Sequence, residues 1–167
     1  MADTTKILLV DDDESLFVVY EKLFENAFGD AVVLNHCPQD RMLGDMLSRD
    51  RYAVVILDQM LQNGTTGLDL VPTIRTSGND IRILMNSGYG SEKLAAKSID
   101  AGVDAYVLGH KEDTAQLVSE VRKAIDEHDR VETIRSDILS NGRSPLHRRC
   151  ERLRREVKTK IATSRKG

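Results

Sequence analysis

The amino-acid sequence predicts an α/β fold built on a parallel β-sheet, and two observations lead to this prediction. Five short apolar runs recur through the first 110 residues, and four of them lack clean alternation of apolar and polar positions, as strands covered on both faces do. The segments between them carry apolar residues at three- and four-residue spacing, which is typical of amphipathic helices. Regular alternation of strand and helix favours βαβ units with right-handed crossovers.

Each element can be assigned in order along the chain. Strands are expected at KILLV (6–10), AVVLNHC (31–37), YAVVILD (52–58), IRILMN (81–86) and AYVLG (105–109). The first two helices are marked by Leu16, Val19, Tyr20, Leu23, Phe24 and Ala27, and by Met42, Leu43, Met46 and Leu47. The next two are marked by Leu68, Val71 and Ile74, and by Leu94, Ala95, Ser98 and Ile99. A fifth helix is expected to begin near Asp113 or Thr114.

Length and composition limit the class of protein. A chain of 167 residues accommodates one compact domain with a few tens of residues left over. Its 40% apolar and 31% charged residues are typical of a globular protein rather than a disordered or fibrous one. No apolar run approaches the roughly 20 residues that cross a bilayer, and MADTTKILLV does not resemble a signal peptide. With Cys37 and Cys150 outside any metal-binding spacing, a cytoplasmic location without membrane contact is predicted.

Polar residues gather at the predicted ends of the strands, where an open parallel sheet binds its ligands. The first strand runs into Asp11, Asp12 and Asp13, the third ends at Asp58, the fourth runs into Asn86, Ser87 and Gly88, and the fifth ends at Gly109, His110 and Lys111. Clustered carboxylates repel one another, so they favour a divalent ion such as Mg²⁺. One aspartate could then accept a phosphoryl group, with a hydroxyl holding a phosphoryl oxygen. Taken singly, each residue could instead cap a helix; taken jointly, they favour a site.

Four segments resemble, in order and spacing, the receiver domain of two-component response regulators: ILLVDDDES, VVILDQM, ILMNSGYG and AGVDAYV. The likeness spans roughly residues 5 to 126. It implies a flavodoxin-like, doubly wound five-stranded sheet of order 2-1-3-4-5. It also implies a phosphorelay protein that takes a phosphoryl group from a histidine kinase or a phosphotransfer protein and signals to a downstream protein target. Such a protein is not an enzyme with turnover on an external substrate.

The resemblance assigns roles to individual residues. Asp58 matches the phospho-accepting aspartate, and Asp11 and Asp12 match the acidic pair that binds Mg²⁺ together with it. The backbone carbonyl of Met60 falls where the family supplies a further metal ligand. Asp13 is expected to cap the first helix or to face solvent.

Two further positions match the residues that respond to phosphorylation in this family. Ser87 matches the hydroxyl that turns toward the phosphoryl group. Tyr106 matches the aromatic side chain whose rotation accompanies that turn, although a tyrosine on a strand is equally an ordinary core residue. The resemblance therefore predicts a switch formed by these two side chains.

Two departures from the family matter, and the first is the loop after Asp58, which has Gln62 where the family most often has proline. The second concerns a residue that binds the phosphoryl group. The family's phosphate-binding lysine falls at Gly109, which is 22 residues after Ser87. Lys111 could replace it, because side chains two apart on an extended segment share a face, displaced by roughly 6.6 Å. Alternatively, Lys111 begins the fifth helix as solvated charge. If the site has lost the positive charge of this lysine, the chain is a receiver-like interaction module with impaired or no phosphorylation.

The last segment of the chain is predicted to extend beyond the receiver domain of residues 1–126. From Pro145 onward there are nine Lys/Arg and two Glu, a net charge of +7 that leaves −10 on the rest. Residues 127–167 are expected to form an extension of helix five and a basic amphipathic helix with an apolar stripe of Leu146, Cys150, Leu153, Val157 and Ile161. This stripe could pair with helix five, dock on the receiver or form a homodimer. Phospho-regulated contact with nucleic acid is disfavoured, because about 20 residues are too few for a DNA-binding domain with its own core.

Overall fold

Strands and helices alternate along the chain in the computed structural model, which describes residues 4–78, 80–88, 90–108 and 114–141. The strands are β1 (Thr5–Val10), β2 (Val32–Cys37), β3 (Val54–Asp58), β4 (Arg82–Ser87) and β5 (Ala105–Leu108). The helices are α1 (Glu14–Phe28), α2 (Leu43–Arg49), α3 (Gly67–Ser77), α4 (Glu92–Asp100) and α5 (Thr114–Asn141). All predicted strands and helices up to Asn141 are therefore present.

The five strands form one parallel sheet in the order β2-β1-β3-β4-β5. This order confirms the predicted doubly wound, flavodoxin-like α/β fold. Because the strands are parallel, their carboxyl ends meet at one edge of the sheet. The register there places Val10 beside Leu57 on β1 and β3, and Asp58 beside Asn86 on β3 and β4.

Alternate residues of the strands enter two apolar layers, one on each face of the sheet. The first layer contains Leu8, Val10, Val55, Leu57, Ile83 and Met85 with side chains of α2 and α3; the second contains Ile7, Leu9, Val54, Ile56, Leu84 and Val107 with side chains of α1 and α5. We call them the α2/α3 layer and the α1/α5 layer. Burying one such side chain contributes about 1.5–3 kcal/mol. Continuous apolar strands are stable here because both faces are covered.

Polar residues set the starts of three helices. The Asp13 side chain accepts hydrogen bonds from the backbone N–H groups of Ser15 and Leu16, so of its two predicted roles, helix cap or solvent-facing residue, it takes that of the N-cap of α1. Thr66 and Asp69 form a reciprocal capping box at the start of α3, and Ser91 caps α4. These caps fix where the chain turns away from the sheet edge.

Several strand boundaries differ from the prediction by one or two residues, and two of these differences matter for what surrounds the sheet edge. β3 begins at Val54 rather than at residue 52, and the side chain of Tyr52 instead pairs with Asn35, whose Nδ2 donates to Tyr52 Oη at 3.3 Å. β4 continues to Ser87, because the backbone of Ser87 still lies in register with Leu108 of β5. Ser87 is therefore the last residue of a strand rather than the first of a loop.

Helix α5 is 28 residues long, as the continued apolar spacing predicted. Its first half packs in the α1/α5 layer through Leu117, Val121 and Ala124. One compact unit ends within this helix at His128 and a second begins at Asp129. The boundary predicted at residues 126 and 127 stays a prediction, and the predicted basic helix lies outside the described residues. Among the helices described, none is both long and apolar enough to cross a membrane.

Candidate functional site

Three carboxylates meet at the carboxyl edge of the sheet. Asp11 and Asp12 follow β1, and Asp58 ends β3, the neighbouring strand. One oxygen from each of the three side chains lies within 4.8 Å of the others. The structure thus brings together the three side chains that the sequence assigned to a metal site.

The loop after β1 holds Asp11 in place. Its side chain is only 5% exposed, and its Oδ1 accepts a hydrogen bond of 2.8 Å from the backbone N–H of Asp13. The Asp11 carbonyl oxygen lies 2.7 Å from His36 Nε2, which must donate because a carbonyl only accepts. The His36 ring stacks on Phe17 at 4.7 Å between centroids. Contacts from α1 and β2 therefore fix the carboxylate that lies deepest in the site.

The loop after β3 orients Asp58. Asp58 Oδ1 accepts a hydrogen bond of 2.8 Å from the Gln59 N–H, and Asp58 Oδ2 accepts one of 3.2 Å from the Met60 N–H. The Gly67 N–H donates a hydrogen bond of 3.2 Å to the Gln59 carbonyl. This bond holds the start of α3 close to the end of β3. A Cβ atom at Gly67 would lie less than 3.0 Å from the Asp58 carbonyl oxygen, so this close contact requires glycine.

Burial perturbs the carboxyl groups of Asp11 and Asp58. It raises the pKa of Asp11 from 3.8 to about 6; the charges of Asp58, Asp12 and Asp13 add to this rise, and the hydrogen bond from Asp13 opposes it. Burial also raises the pKa of Asp58, against the lowering effect of the Gln59 and Met60 amides. The cluster is therefore costly to keep ionised without a cation. Its donor set is entirely oxygen, which fits a hard divalent ion such as Mg²⁺.

The two predicted switch residues lie on β4 and β5. Ser87 is 3% exposed and follows Asn86, the partner of Asp58 in register. Tyr106 packs against the α2/α3 layer, and its hydroxyl is buried without a hydrogen-bond partner among the described residues. A Cβ atom at Gly90 would lie 2.7 Å from Tyr106 Oη, so the loop after β4 covers this hydroxyl closely.

Two of the predicted positions lie beyond what the structure describes. Gly109 and Lys111 both fall in residues 109–113, between β5 and α5, which are outside the described ranges. Whether Lys111 replaces the lysine of the family therefore stays a prediction. Met60 is described: its backbone N–H contacts Asp58, and its side chain is exposed.

A pair of residues that the sequence did not single out lies behind the carboxylates. Asn86 Nδ2 donates to Tyr20 Oη at 2.6 Å, and both side chains are buried. The sequence treated Tyr20 as an apolar position of α1 and Asn86 only as part of a strand end. The available signal was an amide at a position where the strand pattern expects an apolar side chain.

A surface pocket of about 270 Å³ opens beside Asp12. Its walls come from the loop after β2 and the loop after β3, and include Gln39, Arg41 and Leu61. Thr65 Oγ1 donates to Asp40 Oδ2 at 3.1 Å and joins the two loops. The pocket leaves room beside the carboxylates for a reacting group from solvent.

Residues 7–122 match the family described as response regulator receiver domain. A curated relative, the response regulator RppA of Synechocystis sp., is 29% identical over 104 residues, which cover 61% of this chain and 43% of the relative. The chain thus spans less than half the length of this relative.

Solved structures give the same picture of the fold. A two-component response regulator of the LuxR family from Aurantimonas sp. superposes with a TM-score of 0.64 and 27% identity, over 74% of this chain and 86% of that one. The response regulator TrrA of Thermotoga maritima, solved in complex with Mg²⁺-BeF, superposes with a TM-score of 0.62 and 22% identity, over 72% and 99% of the two chains.

Proposed function

Because this chain belongs to the response regulator receiver domain family, we propose that Asp58 accepts a phosphoryl group from a histidine kinase or a phosphotransfer protein. The observation that carries this proposal is the cluster of Asp11, Asp12 and Asp58 at the carboxyl edge of the sheet. Three oxygen ligands on two neighbouring strands suit one divalent ion, and a carboxylate at its edge suits phosphoryl transfer.

The metal would be held by the side chains of Asp11, Asp12 and Asp58 and by the backbone carbonyl of Met60. When bound, Mg²⁺ supplies positive charge that offsets the charge of the carboxylates and of the phosphoryl group. Burial raises the pKa values of Asp11 and Asp58 and so makes their ionised forms costly, and a bound cation would offset that cost by pairing with the carboxylate charges. Binding is expected to displace protons from these carboxyl groups.

Asp58 then acts as the nucleophile. A carboxylate oxygen of Asp58 attacks phosphorus, the P–N bond to the donor imidazole breaks, and the leaving imidazole takes up a proton. The product is an acyl phosphate on Asp58. Attack of water on phosphorus later restores the carboxylate and releases inorganic phosphate. The amides of Gln59 and Met60 hold the two oxygens before reaction, so the carboxylate enters it in one orientation.

Ser87 and Tyr106 would convert phosphorylation into a signal. The Ser87 hydroxyl would bond to a phosphoryl oxygen, and Tyr106 would turn in response and change the surface that a downstream protein contacts. The register supports this pairing of roles, since Tyr106 lies beside Met85, two residues before Ser87 on β4. The alternative is a receiver-like interaction module with impaired phosphorylation, for which glycine at position 109 is the motive.

One experiment separates these two functions. The protein is incubated with Mg²⁺ and a small phosphodonor, and intact-mass spectrometry measures the gain of one phosphoryl group. We expect a gain in wild type and none in Asp58→Asn. Asp50→Asn is the matched control, because Asp50 is a carboxylate that pairs with Lys6 away from the cluster, and it should react like wild type. No gain in a wild type that binds Mg²⁺ would favour the interaction module.

A further inference from the structure

Two buried polar side chains, Tyr20 on α1 and Asn86 on β4, have no role in the chemistry described so far. Their terminal atoms lie 2.6 Å apart in a hydrogen bond. Tyr20 is 4% exposed and Asn86 is 8% exposed. Interior positions of this kind are filled most simply by apolar residues, so a buried amide and hydroxyl need an explanation.

The pair lies beside the phosphoacceptor. Asn86 is the direct neighbour of Asp58 across the two parallel strands, which run about 4.8 Å apart. The side chains two residues earlier on the same strands, Ile56 on β3 and Leu84 on β4, both enter the α1/α5 layer. Side chains alternate along a strand, so Asp58 and Asn86 emerge side by side on the face that α1 covers.

Asn86 has one polar atom to spare. One end of the amide bonds to Tyr20, and the other, placed as Oδ1, is buried without a partner among the described residues. An unpaired buried amide atom lowers stability, because it has lost its bonds to water. The missing partner therefore points to a ligand that is present only in a working state of the site.

The chemistry of Tyr20 indicates which ligand this is. A tyrosine hydroxyl both donates and accepts, so its bond to Asn86 persists when the amide turns by 180° about its last side-chain bond. The distance of 2.6 Å lies within the range of O–H···O bonds and is short for N–H···O. In the turned orientation the unpaired atom is Nδ2, a donor that requires an oxygen acceptor.

We propose that Asn86, oriented by Tyr20, donates an N–H hydrogen bond to an oxygen of the phosphoryl group on Asp58. Asn86 is then a phosphoryl-binding residue and Tyr20 a positioning residue. Their location is also consistent with the electrostatics, because the charges of Asp11 and Asp58 add to the effect of burial in raising the pKa of Tyr20. This inference rests on the proposed function of Asp58.

The test measures two affinities in each variant, one for Mg²⁺ alone and one for beryllofluoride, a phosphoryl mimic, in the presence of saturating Mg²⁺. In Asn86→Leu we expect beryllofluoride to bind about 10- to 150-fold more weakly, which is the contribution of one hydrogen bond to a charged acceptor. Mg²⁺ affinity should stay within about twofold, since the amide contacts the phosphoryl group rather than the metal. Leucine has a similar size, but it removes the hydrogen-bond partner of the buried Tyr20 hydroxyl as well as the unpaired Oδ1. The Mg²⁺ affinity of the variant therefore also serves to show that the site is folded.

The chain offers a matched control pair. Asn35 and Tyr52 form a second asparagine–tyrosine hydrogen bond, at 3.3 Å, and Tyr52 precedes β3 at the opposite edge of the sheet from Asp58. Tyr20→Phe should weaken beryllofluoride binding in the same direction as Asn86→Leu, whereas Tyr52→Phe should leave it unchanged.

Three outcomes would overturn the inference. Beryllofluoride binding of wild-type strength in Asn86→Leu would remove the proposed contact. An equal loss of Mg²⁺ and beryllofluoride affinity would assign Asn86 to general packing of the site. A wild type that binds Mg²⁺ but not beryllofluoride would refute the function of Asp58 itself, and this inference with it.

Discussion

Gly67 approaches Asp58 so closely that no other residue fits: a Cβ atom there would lie less than 3.0 Å from the Asp58 carbonyl oxygen and 3.1 Å from Met85 Sδ. The start of α3 thus rests directly against the end of β3. The Gly67 N–H donates to the carbonyl of Gln59, which orients Asp58 through its own amide. The position of Asp58, the proposed phosphoacceptor, therefore depends on the absence of a side chain nine residues away.

Gly67→Ala tests this dependence. The added methyl group must displace backbone, so we expect a loss of about 1–3 kcal/mol in the free energy of unfolding and slower phosphorylation of Asp58. Urea unfolding and the rate of mass gain measure the two effects. The control is Gly44→Ala in α2, where a Cβ meets nothing within 4 Å, and this change should stabilise by about 0.5–1 kcal/mol. Equal stability of the two variants would contradict the prediction.

Asp11 should make the metal-free protein less stable as pH rises. Its folded-state pKa is about 6, above the value of 3.8 for an unperturbed carboxyl group, because burial disfavours the charged form. Its protonated form is thus favoured by folding, and this stabilisation is present below about pH 4 and lost as pH rises through about 6. The loss is on the order of 2–3 kcal/mol. We expect Asp11→Asn to remove this step from urea unfolding measured between pH 4 and 8 in EDTA. An unchanged pH profile would argue against a buried, ionising Asp11.

Mg²⁺ should counter this instability. A ligand that binds only the folded state stabilises by about 2.7 kcal/mol when its concentration is 100 times Kd. We expect the unfolding temperature to rise with Mg²⁺, to return to its starting value with EDTA, and to respond much less in Asp58→Asn. A matched titration of Asp50→Asn should follow wild type. If Asp58→Asn responds like wild type, the ion does not bind at this cluster.

Tyr106→Phe should stabilise the unphosphorylated protein. The Tyr106 hydroxyl is buried without a partner among the described residues, under the backbone of Gly90. Removing such a group avoids its desolvation cost, so we expect a gain of about 1 kcal/mol in thermal or urea unfolding. Phosphorylation of Asp58 should proceed as in wild type, since the ring of Tyr106 packs against the α2/α3 layer, whereas Asp58 emerges on the face of the α1/α5 layer. A loss of stability would mean that the hydroxyl has a partner.

Local patterns predicted the alternation of strands and helices and the acidic residues at the strand ends, while the strand order followed from the resemblance to a known family. Strand residues that are apolar on both faces and aspartates directly after them can be identified without three-dimensional contacts. Tyr20 and Asn86 could not be paired in this way, since they meet only through the packing of α1 on β4. The requirement for Gly67 likewise depends on a contact between a helix start and a strand end. Contacts that join separate elements leave no periodic signal in the sequence.

Consecutive residues of β4 face opposite layers of the sheet, and this alternation divides the proposed site into two halves. Asn86 lies on the α1/α5 side with Tyr20, while Ser87 shares the parity of Met85 on the α2/α3 side, against which Tyr106 also packs. The phosphoryl group would then be held from both sides, by Asn86 on the α1/α5 side and by Ser87 on the α2/α3 side, whereas the response of Tyr106 belongs to the α2/α3 side alone. Substitutions on the α1/α5 side could then change the lifetime of the phosphoryl group. The α2/α3 side, and the partner surface that Tyr106 controls, would stay unchanged.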